Sequence, residues 1–187
     1  MELKYLGNKK FKLKFKKTSF LLRPKDSDDL DFLKKGIVIG GGKFLADDDY
    51  LMVAGAGEYE RGGNHIKAIE VGGSVVYLVE VGGIKVAYLE GMVEEPNEKE
   101  LSKVADLEAD VMLFSLDDKQ GEMLKKLPTW LRKWGVNYVV PMGYKKDDGM
   151  LKSFLDLFDV EGKEKEEVLK IGSRIELPEG MEIVVLE

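Results

Sequence analysis

Few side chains in this chain are equipped to do chemistry. There is one histidine, His65, and no cysteine. Tight zinc sites gather three or four Cys and His ligands. Thiolate nucleophiles, disulfides and Cys/His triads all need a sulfur. What remains is carboxylate, hydroxyl, amine and backbone chemistry. The carboxylates cluster at Asp47-Asp48-Asp49 and at Glu58-Tyr59-Glu60, with Glu90 further along. Such oxygen donors suit a hard cation such as Mg²⁺ or Ca²⁺, although an acidic run in a loop is ordinarily just solvated. Glu58 and Glu60 stand at i and i+2, so on a strand they share one face. Held close and buried, two carboxylates split their pKa values and divide acid from base work. The competing reading has Glu58 simply accepting hydrogen bonds that position a loop. His65 follows the pair Gly62-Gly63 and reads as a strand-end residue that would need a partner to act as a base. Ser74 and Ser115 have no nucleophile-elbow context.

The elements that must position these groups are written in the spacing of apolar residues. Phe11, Leu13 and Phe15 alternate with Lys10, Lys12, Lys14 and Lys16, the period-2 pattern of a half-buried strand. The Lys face reads as solvated and as a guard against edge-to-edge pairing. Gly62-Gly63, Gly72-Gly73 and Gly82-Gly83 recur ten residues apart. Between them lie runs rich in Val, Ile and Tyr, which predicts an antiparallel meander closed by two-residue turns. Gly40-Gly41-Gly42 follows the strand-like Ile37-Val38-Ile39, a phosphate-loop position, but Lys43-Phe44 does not complete that motif. After Pro96 the period changes. Asn97 and Glu100 form a capping-box pattern, and Leu101 and Val104 follow at helical spacing. Val111–Phe114 and Val136–Val140 read as strands, the second closed by Pro141. Residues 120–134 read as a helix interrupted at Pro128, residues 148–158 as another helix, and Arg174–Leu177 with Glu182–Leu186 as a final hairpin.

Composition bounds the partners. The net charge of −6 argues against general nucleic-acid binding. No apolar run of about 18 residues is present to span a membrane. The first fifteen residues lack a signal-peptide core, so the expectation is a cytoplasmic protein. Hydrophobic residues make up 44 % of the chain and charged residues 34 %, the balance of a folded globular protein. Four Asn and one Gln among many Lys and Glu suggest a hot-environment source. The length of 187 residues and the lack of any linker predict one domain over 1–187. Its expected architecture is two sheets packed face to face with helices outside.

Several segments in order resemble one family. They are Tyr5-Leu6-Gly7-Asn8, Leu21-Leu22-Arg23-Pro24, Gly55-Ala56-Gly57-Glu58-Tyr59-Glu60, Ala87-Tyr88-Leu89-Glu90-Gly91 and Val139-Val140-Pro141-Met142-Gly143-Tyr144-Lys145. Together they resemble the small lactonase-like branch of the metallo-β-lactamase-fold hydrolases. That resemblance implies an α/β (α+β) fold, a four-layer αββα sandwich of two mixed sheets with outer helices. It implies one or two metals, usually zinc or manganese, at the shared edge of the sheets. There the metal lowers the pKa of a bound water for hydrolysis. It also implies where this chain departs. The family's Leu-Gly-His is Leu6-Gly7-Asn8 here. The His-rich loop falls on Gly40-Gly41-Gly42-Lys43, with no histidine. The bridging Asp falls on Gly91, beside Glu90, and the last His falls on Gly143, beside Tyr144. The degenerate positions are thus Asn8, Gly41, Gly42, Lys43, Gly91, Gly143 and Tyr144, and the zinc expected of the family has lost its ligands.

The leading expectation is therefore a non-catalytic pseudoenzyme with no metal cofactor. Its vestigial pocket would take a small-molecule ligand, with no nucleic acid and no membrane among its partners. The alternative is a divergent hydrolase with a relocated, carboxylate-based site drawn from Glu58, Glu60, His65, Glu90, Asp47 or Tyr144. A third reading is a partner-binding subunit, using Trp130, Leu131 and Trp134 with Met123 and Leu124. The core reading of that stripe is favoured over it. By analogy with such folds, a homo-oligomer is plausible.

Overall fold

Burial follows the lysine alternation closely. In the strand Phe11–Phe15, Phe11 and Leu13 are fully buried while Lys14 is exposed. The structure is a computed structural model. It describes residues 1–25, 29–30, 33, 36–40, 49–92, 94–144, 149–160 and 164–187, with the backbone alone at 118–119. In chain order the strands are β1 (Glu2–Tyr5), β2 (Phe11–Phe15), β3 (Thr18–Leu22), β4 (Gly36–Ile39), β5 (Tyr50–Val53), β6 (Gly57–Arg61), β7 (Asn64–Val71), β8 (Ser74–Val81), β9 (Ile84–Leu89), β10 (Val111–Ser115), β11 (Tyr138–Met142), β12 (Lys165–Glu166), β13 (Leu169–Lys170), β14 (Glu182–Ile183) and β15 (Val185–Leu186). The α-helices are α1 (Glu98–Ala105), α2 (Leu127–Trp134) and α3 (Met150–Asp156).

Two mixed sheets result. One has the order β13-β1-β2-β3-β4-β5 and the other β14-β11-β10-β9-β8-β7-β6. The meander from β6 to β9 is antiparallel throughout. Both glycines of each of its turns have positive φ, the conformation a twist-matched two-residue hairpin requires. From β9 the chain switches to parallel pairing through β10 and β11, and α1 and α2 provide the crossovers.

The facing sides of the sheets make the main core. Leu3, Phe11, Leu13 and Phe20 come from the first sheet, and Val79, Val86, Tyr88, Val111 and Leu113 from the second. Each such side chain contributes roughly 1.5–3 kcal/mol by leaving water. The outer face of the second sheet holds the helices, with Leu101, Leu131, Trp134 and Phe154 packed on Ala87, Met112 and Val139. The outer face of the first sheet is covered at Leu21 and Val38 by Leu30 and Leu33. The architecture is the expected α+β sandwich, and among the described residues its α-helices all lie on the second sheet.

Three details correct the sequence reading. Residues 118–126 form 3₁₀ turns broken at Gly121, and the α-helix begins only at Leu127, with Pro128 in its first turn. There the missing proline N–H costs nothing. Strand β11 is not closed by Pro141 but continues to Met142. Its neighbour β14 pairs only as far as Val139, so Pro141 removes no ladder donor on that side. The expected C-terminal hairpin does not form. Arg174–Glu176 is a 3₁₀ turn with Ile175 96 % exposed. Arg174 pairs with the buried Asp110, and Asn137 donates to the carbonyl of Pro178. β14 then joins β11 in parallel. The capping box at Asn97 and Glu100 is present as expected.

Two of the turn glycines separate backbone conformation from packing. A Cβ at Gly63 would meet nothing within 4 Å, whereas one at Gly72 would stand 2.6 Å from the Glu94 carbonyl oxygen. Gly63→Ala is expected to cost about 1–2 kcal/mol for its left-handed backbone. Gly72→Ala should cost about 1–3 kcal/mol more from overpacking. Urea unfolding of the two variants measures the difference.

Candidate functional site

Parallel strands end at the same edge of a sheet, so the segments that follow them converge. Glu90-Gly91 follows β9, Leu116-Asp117 follows β10 and Gly143-Tyr144 follows β11. In register, Leu89, Phe114 and Pro141 stand side by side. Gly91 and Gly143 are thus separated by two strand spacings, about 10 Å. In the first sheet, Arg23 follows β3 and Gly40 follows β4, tied by the bonds Arg23 N to Ile39 O (2.7 Å) and Gly40 N to Val53 O (2.8 Å). The β1–β2 turn completes the rim. Its Gly7, Asn8 and Lys9 all have positive φ, and Lys10 N donates to Gly7 O at 2.9 Å.

Charged groups stitch the two sheets together along this rim. Arg23 Nε lies 2.5 Å from Glu90 Oε1. The Tyr88 hydroxyl lies 2.9 Å from Glu90 Oε2 and 3.0 Å from the carbonyl of Lys9. Burial and the neighbouring Glu90 carboxylate raise the Tyr88 phenol well above its usual range, so it stays a donor. Lys9 Nζ approaches Asp117 Oδ2 at 3.8 Å. Lys10 pairs with Asp29, whose other carboxylate oxygen accepts from Lys25 N at 2.6 Å. Between these groups opens a cavity of about 670 Å³ bordered by Leu6, Asn8, Lys10, Arg23, Lys25 and Glu90.

The fit of this rim to a metal can be judged from Gly143. A Cβ built there would stand 2.6 Å from Lys9 Cε and 3.1 Å from Lys9 Cγ. The lysine stem therefore fills the space into which a side chain at 143 would project. Its ammonium, 3.8 Å from Asp117 Oδ2, brings positive charge to this part of the rim. Glu90 is already engaged by Arg23 and Tyr88. Among the described residues, no three His, Asp or Glu side chains converge as a metal would require. Those described do not fit a zinc centre.

Glu58, Glu60 and His65 are elsewhere. All three are exposed on or beside edge strand β6. His65 pairs in register with Glu60 on one side and with Glu80 on the other, and Glu80 pairs with Lys85. Lys85 is five residues before Glu90, so His65 stands about 17 Å from the rim along the strand direction. Glu60 accepts from Gly63 N at 2.8 Å, which closes the turn. Glu58 and His65 border a separate depression of about 320 Å³ with Lys67, Glu80 and Lys85. Of the sequence candidates, the rim holds Asn8, Glu90, Gly91, Gly143 and Tyr144. Gly41, Gly42, Lys43, Asp47 and Asp48 lie outside the described residues. Sequence reasoning missed Lys9 and Asp117, which bridge the sheets. The signal available for Lys9 was its place directly after Asn8. Trp130, Leu131, Trp134 and Met123 are core: Trp130 is 6 % exposed, and Trp134 donates to Leu101 O at 3.1 Å.

No family model matches the sequence, and no curated protein matches it. Solved structures do match. One, from Thermotoga maritima and assigned as a Zn-dependent hydrolase of the metallo-β-lactamase superfamily, covers 100 % of this chain with 99 % of its own at 20 % identity and a TM-score of 0.75. Another, assigned as a metal-dependent hydrolase of Parabacteroides distasonis, covers 98 % of this chain with 91 % of its own at 10 % identity and a TM-score of 0.66. A third, assigned as a metal-dependent hydrolase of Veillonella parvula, covers 91 % with 99 % of its own at 12 % identity and a TM-score of 0.57. The chain has the metallo-β-lactamase fold.

Two measurements follow from the rim. Glu90→Gln leaves Arg23 without its ionic partner in a half-buried setting and should cost about 1–3 kcal/mol. Glu95→Gln breaks the exposed Glu95–Lys126 pair and should cost no more than about 0.5 kcal/mol. Tyr144, half-buried and donating to Leu186 O at 3.1 Å, has its pKa pushed up from 10.0 to about 12 by burial and by nearby Tyr5 and Glu187. The unfolded phenol ionises first, so this contribution to stability is full below pH 10 and is lost as pH rises from 10 towards 12. The melting temperature should fall over that window, and less steeply in Tyr144→Phe.

Proposed function

We propose that this chain uses the metallo-β-lactamase fold without a metal, as a non-hydrolytic protein that binds a small molecule at the rim between its sheets. The observation that carries this reading is Lys9. Its stem occupies the space a side chain at position 143 would need, and its ammonium lies toward Asp117. A zinc-activated hydroxide requires open, convergent donors, and this rim offers paired lysine and arginine instead. The neighbours' assignment as metal-dependent hydrolases belongs to those proteins; at the resembling positions this chain carries Asn8, Gly91 and Gly143.

The alternative, a hydrolase with a relocated carboxylate site, gains little. A nucleophile needs a base within hydrogen-bond reach. Glu58, Glu60 and His65 are exposed at the far end of the second sheet, and Glu90 is held by Arg23 and Tyr88. Assembly through Trp130 and Trp134 is not the role proposed either, because both rings are buried.

Elemental mass spectrometry of protein purified without an affinity tag or chelator tests the reading. The expected result is less than about 0.1 metal per chain, since a tight site would remain occupied. Stoichiometric zinc or manganese together with turnover of a generic ester would overturn it.

A further inference from the structure

We infer that the rim cavity binds an oxyanion carried by a small metabolite, a carboxylate or a phosphate monoester, gripped by Arg23 and Lys25. This rests on the non-hydrolytic reading of the rim. Arg23 spends only its Nε on Glu90, and its two terminal amino groups have no partner among the described residues. Those two groups are the fork that matches a carboxylate or phosphate in paired hydrogen bonds. Lys25 borders the same cavity, and its exposed ammonium has no partner among the described residues. Of the described carboxylates nearby, Glu90 is paired with Arg23 and Tyr88, and Asp29 with Lys10 and the amide of Lys25. An incoming anion therefore meets cation donors, and the one described carboxylate that lines the cavity, Glu90, is already paired.

The backbone points to the same place. Six described non-glycine residues have positive φ, and three of them, Asn8, Lys9 and Arg23, stand at this rim. Such conformations are strained, and they persist where the surrounding structure enforces them, as at binding sites. Gly7 and Asn8 also present amides that hydrogen-bond to no described residue, and both border the cavity. A volume of about 670 Å³ accommodates a metabolite.

The test is thermal melting and calorimetric titration of chelator-treated, dialysed protein with inorganic phosphate and, separately, malonate, at ionic strength held constant with NaCl. The expected result is a saturable rise in melting temperature with at least one of the two. A response to phosphate alone assigns a phosphoryl group, and one to malonate alone assigns a carboxylate. Arg23→Gln should abolish the response. Lys25→Gln should weaken it at least about threefold, through loss of one charge-assisted contact, with the melting temperature in plain buffer unchanged. If Arg23→Gln fails to fold, Lys25→Gln carries the test alone. No response to either anion beyond NaCl, or a wild-type response in Lys25→Gln, overturns the oxyanion site. Metal found in the same batch before chelation overturns the non-hydrolytic reading instead, so the two failures are distinct.

Discussion

The hydroxyl of Tyr88 is buried between two sheets, where water does not reach it. The residue is 1 % exposed, and a buried phenol without a partner costs about 1–3 kcal/mol. Its satisfaction organises the rim. Its single proton has two acceptors within reach, the Lys9 carbonyl of the β1–β2 turn at 3.0 Å and Glu90, just past the end of β9, at 2.9 Å, and is shared between them. Glu90 is then drawn into a half-buried position and requires a cation, which Arg23 brings from the end of β3. One buried oxygen thus fixes a turn of the first sheet against a strand end of the second, and the ion pair follows from it.

The second consequence is the placement of Lys9. With its carbonyl held by Tyr88 and its φ at +66°, its side chain runs toward Gly143 and Asp117. Gly143 (φ +84°) is held to glycine by its left-handed backbone, and a Cβ there would also crowd the Leu116 carbonyl oxygen at 3.1 Å and displace the flexible end of Lys9. Gly91 is different, since the nearest atom to a Cβ there is Ser74 Oγ at 3.9 Å. Its constraint is the backbone at φ +69° alone. Two glycines that look equivalent in sequence therefore play unequal parts, and position 143 is the one coupled to the cation.

Much of the framework was legible in the chain. Alternation at Phe11–Phe15, the three Gly-Gly turns and the capping box at Asn97 and Glu100 are local patterns with local causes, and each appears where it was expected. The C-terminal hairpin failed for a non-local reason. Val184 N finds Val139 O, and Arg174 finds the buried Asp110, so the segment extends an existing sheet rather than folding on itself. Pro141 was read as a stop because a strand interior needs its donor. β11 tolerates it only because β14 is short.

The candidate site divides along the same line. Period 2 places Glu58 and Glu60 on a common face, and that holds, but period 2 carries no information about which end of a sheet a residue occupies. Only the register His65–Glu80–Lys85 puts those residues far from Glu90. By itself the sequence determined the strand and turn pattern, the scarcity of soft metal ligands and the glycines at positions 91 and 143. It did so because residue type and short-range spacing act through the nearby backbone. The tertiary structure alone decided that Lys9, Arg23, Glu90 and Asp117 meet at one rim. They are separated by long stretches of chain, and what joins them is the parallel ends of strands and the need of one buried hydroxyl for a partner.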